Sequence, residues 1–74
     1  MGIWPQILPK NLIKLLEKFG FVVTRQTGSH ARLAHADGRK ITIAIHPKPL
    51  PLGTLMAILR QAQITKEAFK KLLD

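Results

Sequence analysis

The sequence predicts a small α+β domain of order α-β-β-β-α with a short C-terminal helix, its helices packed on one face of a three-stranded antiparallel sheet. Three observations predict it. Leucine and isoleucine recur at helical spacing in two separate stretches, 12–19 and 52–62. Ile41, Ile43 and Ile45 alternate with other residues, the period of a strand with one buried face. Asp37-Gly38 stands between two strand-like runs, a hairpin signal. A chain of 74 residues allows one domain, 1–74, and the absence of cysteine leaves its small core no disulfide or thiolate metal site for support.

Each element has its own signals. Leu12, Ile13, Leu15, Leu16 and Phe19 share a helical face, with Lys10, Lys14, Glu17 and Lys18 opposite. Pro9 suits the first helical position and Gly20 the closing left-handed one, so the helix is expected over about 9–19. Phe21-Val22-Val23-Thr24 reads as a strand, His30 to Ala36 as a second and Lys40 to His46 as a third. A two-residue Asp-Gly loop would place Arg32 on the face of the isoleucines and bury a charge, at several kcal/mol. A three-residue loop or bulge reverses the parity and joins Ala31 and Leu33 to the isoleucines. His30, Arg32, Ala34, Thr42, Ala44 and His46 then share the other face. Pro47, Pro49 and Pro51 lack amide donors and exclude regular structure before the second long helix, which Leu52, Leu55, Ile58, Leu59 and Ala62 define. Thr65 suits the N-cap of a final helix, with Ile64 stapling on Phe69 and Glu67 four residues before Lys71.

Twelve Lys and Arg against four Asp and Glu give a net charge of +8. That field favours a polyanionic partner: nucleic acid, a membrane surface or an acidic protein. The opening Met1-Gly2-Ile3-Trp4-Pro5 lacks the basic and apolar regions of a secretory signal, and Gln6 stands where acylation needs a hydroxyl residue. No apolar run is long enough to span a membrane, so a cytoplasmic protein is expected. Nucleotide-binding glycine motifs, nucleophilic triads and paired carboxylates are all missing.

The residues that suit chemistry gather around the hairpin. RNA cleavage without a metal needs a base for the 2′-hydroxyl, an acid for the leaving 5′-oxygen and cations around the crowded phosphate. A free imidazole titrates at about 6.5 and serves either proton transfer. His30 follows Gly28 and Ser29, whose amides in a tight loop suit a phosphate; read alone, it also fits a plain polar residue at a strand start. His46 is expected opposite or diagonal to His30, as second proton carrier, phosphate contact or merely a solvent-facing strand end. His35 has the wrong parity and reads as structural. Arg25, Arg32, Arg39 and Lys40 surround the hairpin as phosphate ligands or solvated charges. Lys10, Lys14 and Lys18 form a stripe, solvated or partner-binding. Trp4 anchors the N-terminal arm or stacks on a base. No metal site is expected, since His30 and His46 alone are too few ligands.

Gly20-Phe21, Arg25-Gln26-Thr27-Gly28-Ser29-His30, Gly53-Thr54-Leu55, Ile58-Leu59, Ala62, Ile64 and Phe69 follow one another in an order that closely resembles the HicA family of toxin–antitoxin ribonucleases, over about residues 10–70. The resemblance implies a fold like that of a double-stranded-RNA-binding domain. It implies an endoribonuclease toxin (an mRNA interferase) acting on mRNA without a cofactor, with His30 as the catalytic histidine and a cognate HicB-type antitoxin as inhibitor. Two positions depart from the family pattern: Ala44 stands in place of a proline, and Gln63 in place of a glycine. The alternative is a non-catalytic basic module that binds RNA or docks a partner. Against a duplex-binding module, the second long helix opens Leu52-Gly53-Thr54-Leu55-Met56 with no cation before Arg60. For partner docking, Ala34 and Ala44 on the open face suit close packing.

Overall fold

Pro9 opens the first helix, where its fixed φ is preorganised and its missing amide is no loss, in a computed structural model that describes residues 4–73. The elements are α1 (Pro9–Glu17), β1 (Phe21–Thr27), β2 (His30–His35), β3 (Lys40–Ala44), α2 (Leu52–Gln61) and α3 (Lys66–Leu73). The α-β-β-β-α order and the open three-stranded antiparallel sheet are as the sequence predicts. Strand order is β1-β2-β3, so β1 and β3 are both edges. α1 ends two residues before the predicted boundary, because the amides of Lys18, Phe19 and Gly20 bond to carbonyls three residues back and tighten the chain into a turn. Gly20 closes it with φ +96°, and a Cβ there would stand 2.7 Å from His35 Nε2.

The β2–β3 register is the one that spares Arg32 from burial. Ala31 pairs with Ile43, Leu33 with Ile41 and Arg32 with Thr42. The parity comes from a three-residue loop: His35 N–H donates to the Arg39 carbonyl, Gly38 N–H donates to His35 O, and Gly38 sits at φ +99°. β1 runs three residues past its expected end at Thr24, because Gly28-Ser29 forms a two-residue hairpin turn with Gly28 at φ +57°. β3 stops at Ala44 instead of His46. Its partner strand begins at His30, opposite Ala44, and Pro47 supplies no donor.

One face of the sheet is covered. Phe21, Ala31, Leu33, Ile41 and Ile43 meet Leu12 and Leu16 of α1 and Leu55, Ile58 and Leu59 of α2 in a single apolar core, with no buried polar side chain among the described residues. The end of α2 forms a Schellman turn, with Ile64 N–H on Leu59 O at 2.9 Å and Gln63 N–H on Arg60 O at 3.1 Å. Its left-handed residue is Gln63, at φ +57°, where glycine would be unstrained. α3 starts as expected, with Ala68 N–H donating to Thr65 Oγ1 at 3.1 Å and with Ile64 and Phe69 buried. Glu67 and Lys71 form no ion pair among the described residues. Trp4 stacks on Phe69 with centroids 6.1 Å apart, which fixes the N-terminal arm against α3.

Candidate active site

The uncovered face of the sheet carries three cross-strand rows. Thr27, His30 and Ala44 form the first, Arg25, Arg32 and Thr42 the second, Val22, Ala34 and Lys40 the third. A β-bulge decides the membership of β1. Val23 pairs with Leu33 and Arg25 with Arg32, so Thr24 is an extra residue that reverses the parity beyond it. Without it Arg25 would point at the helices. With it, Arg25 and Thr27 join His30, while Thr24 Oγ1 donates to the Arg32 carbonyl at 3.3 Å.

Arg25, Thr27, His30, Arg32 and Thr42 line one shallow depression. The His30 imidazole is exposed and makes no hydrogen bond within the chain among the described residues. Arg25 and Arg32 are direct cross-strand neighbours of like charge. Such a pair destabilises a sheet, and among the described residues no carboxylate lies on this face to neutralise it. The pair is therefore poised for an external anion. Arg32 and Thr42 continue into a second depression with Lys40 and Ala34. Lys40 is four residues from the His30 row along β3, roughly 14 Å at strand rise.

The expected site residues divide accordingly. His30, Arg25 and Arg32 come together, Gly28 and Ser29 form the turn beside them, and Lys40 lies at the far end of the same face. Ala44, not His46, stands opposite His30; His46 lies past the strand end in a separate depression with Leu8, Lys10, Ile45 and Pro47. Thr27 was not legible as a site residue, although the same burial argument that set the hairpin register applies to it. With Phe21 and Val23 facing the core, strict alternation would bury Arg25, and a bulge is the escape.

Arg39, grouped by sequence with the phosphate ligands, is committed elsewhere. Its Nε donates to both Asp37 carboxylate oxygens at 2.9 and 3.1 Å, and its guanidinium lies 5.1 Å from the Phe21 ring centroid and donates to Ala62 O at the end of α2. The Arg39 side-chain bond, with its amide bond second, holds the Asp37 carboxyl below the usual carboxylate range. His35 is structural as expected. Nε2 faces the Phe19 carbonyl, which can only accept, so it carries a proton and donates at 3.0 Å, tying the end of α1 to the hairpin, while Nδ1 lies 3.1 Å from both the Asp37 amide and Asp37 Oδ1.

No three His, Asp or Glu side chains converge in a metal-binding group among the described residues. No helix of the described residues is long and apolar enough to cross a membrane. A search of curated proteins finds no match. The family described as the HicA toxin of bacterial toxin–antitoxin systems matches residues 9–64, a span that runs from the first residue of α1 through the Schellman turn after α2 and contains every side chain of the His30 depression. The chain belongs to the HicA toxin family.

Proposed function

We propose that this toxin is an endoribonuclease that cuts mRNA without a metal, with His30 as general acid or base, and that a HicB-type antitoxin neutralises it in the cytoplasm. The observation that carries the reading is the pairing of an exposed imidazole with two like-charged guanidiniums in one depression that no carboxylate among the described residues lines. A phosphodiester laid across the second row meets the Arg25 and Arg32 forks. Its ribose then lies within reach of His30, which supplies one of the two proton transfers of 2′-hydroxyl attack. The arginines stabilise the charge that builds on the pentacoordinate phosphorus. Gly28 and Ser29 let the RNA backbone approach closely, Lys40 extends the cationic track, and His46 contacts RNA beyond the strand end.

Positioned proton transfer contributes about 10²–10⁴ in rate. His30→Ala is therefore expected to lower cleavage of a mixed-sequence RNA in EDTA by that factor while leaving the circular dichroism spectrum and RNA affinity nearly unchanged. Cleavage at the parental rate would remove His30 from the mechanism. A second reading, a face that only docks a partner protein, draws on Val22, which is 60% exposed beside Ala34 on the same face. Intact RNA in both lanes, with salt-sensitive binding retained, would favour it.

A further inference from the structure

We propose that the depression between the start of α1 and the end of β3 is a nucleotide subsite, in which Lys10 and His46 hold the phosphate and Leu8, Ile45 and Pro47 support the base of the residue next to the scissile bond. The inference rests on the ribonuclease reading and extends its site by one residue of substrate. The depression has a volume of about 370 Å³. That is within the range of small-ligand sites, about 300–1,000 Å³, and holds one nucleoside rather than a duplex.

Its lining has the division of labour a nucleotide needs. Leu8 and Ile45 are half-buried and make an apolar floor, while Lys10 and His46 are exposed at the rim. Among the described residues no carboxylate lines it. Base faces rest on apolar and aromatic surfaces regardless of sequence, and an ammonium beside an imidazole suits a phosphate monoanion. Lys10 is also unfavourably placed for the helix alone. It occupies the first turn of α1, which has no acidic residue, where the helix dipole opposes a cation. A bound anion offsets that conflict. Pro47 restricts His46 to extended backbone, so its imidazole is carried on a stiffened segment.

This depression is joined to His30 through the end of the sheet. Ile45 N–H donates to the carbonyl of Ser29, the residue before His30, and Ala44 is paired with His30 itself. His46 is two residues beyond Ala44, about 7 Å along an extended chain. One nucleotide of an extended strand covers that span. RNA would thus pass over the arginine row, reach His30 and turn over the end of the sheet into the subsite.

The test uses ¹⁵N-labelled full chain titrated with uridine 5′-monophosphate, adenosine 5′-monophosphate and, separately, inorganic phosphate. Both nucleotides should shift the amides of Lys10, Ile45 and His46, and more strongly than phosphate does. The exposed double substitution Lys10→Ala/His46→Ala should raise KM for an RNA oligonucleotide several-fold with kcat retained. It should weaken binding of the uncleavable 2′-deoxy oligonucleotide by the same factor. Shifts confined to Arg25 and Arg32 would overturn the subsite, as would a response to inorganic phosphate equal to that of the nucleotides. Binding of a hexaglutamate peptide there, with no response to nucleotide, would also overturn it and mark a protein-docking surface. A wild-type chain that binds nucleotide at Lys10 and His46 but never cleaves RNA would keep the subsite and reject the ribonuclease reading.

Discussion

Arg25 and Arg32 are held side by side against their own repulsion, so the binding role proposed for them comes at the expense of the fold. Arg32→Ala should separate the two effects. Stability is expected to stay level or rise by up to about 0.5 kcal/mol, since like charges directly opposite are unfavourable. RNA affinity should fall, and the slope of log affinity against log salt should decrease by about 0.7, the contribution of one phosphate contact on a single strand. Thermal melts and a salt series of RNA titrations measure both. Most of this was legible in the sequence. Arg32 cannot share a face with three isoleucines, and that one burial argument set the register that puts His30 and Arg32 together. The surroundings of His46 and Arg39 were less legible, because they depend on what lies beyond the strands. For His46 that is the loss of a partner strand; for Arg39 it is a helix-end carbonyl, Ala62 O, that only the folded chain brings near.

The elements were recovered in type and order because their signals are local: Pro9 and Gly20 around α1, the isoleucine alternation of β3, Thr65 before α3. Their ends were less legible. β1 hides its last residues in Arg25-Gln26-Thr27, a polar run whose pairing depends on the Gly28-Ser29 turn and on an extra residue at Thr24. The turn after α2 holds Gln63, where the resemblance leads one to expect glycine. Gln63 adopts the left-handed conformation at φ +57° that the family's glycine would take without strain. A non-glycine residue there costs about 1–2 kcal/mol, part of which the greater unfolded-state freedom of glycine cancels. Gln63→Gly should therefore stabilise the protein by about 1 kcal/mol, which for a domain of this size is about 4–8 °C in Tm. Calorimetry reads it directly, and an unchanged or lower Tm would contradict the strain.

For the whole molecule, stability of a domain this small amounts to about 0.05–0.15 kcal/mol per residue, so few core contacts are dispensable. The family match ends at residue 64, yet Phe69 of α3 is fully buried and stacks on Trp4. Phe69→Ala is expected to cost about 3–5 kcal/mol, a large part of the total. Chemical denaturation should show a midpoint far below the parental one, and an unshifted midpoint would make α3 ornamental. The sheet has a further consequence for how copies of the molecule behave in one another's company. Among the described residues both β1 and β3 are edges of the sheet, and β1 carries Val22 in the open. Exposed edges of that kind invite strand-to-strand aggregation, and natural sheets deter it with charge. Arg25 on β1 and Lys40 on β3 place a cation on each edge, with Arg32 between them, so free molecules repel where they would otherwise pair. A polyanion laid on that face cancels the repulsion. Colloidal solubility in this molecule is thus coupled to the face proposed to bind RNA, and the concentration at which it precipitates should depend on what occupies the sheet.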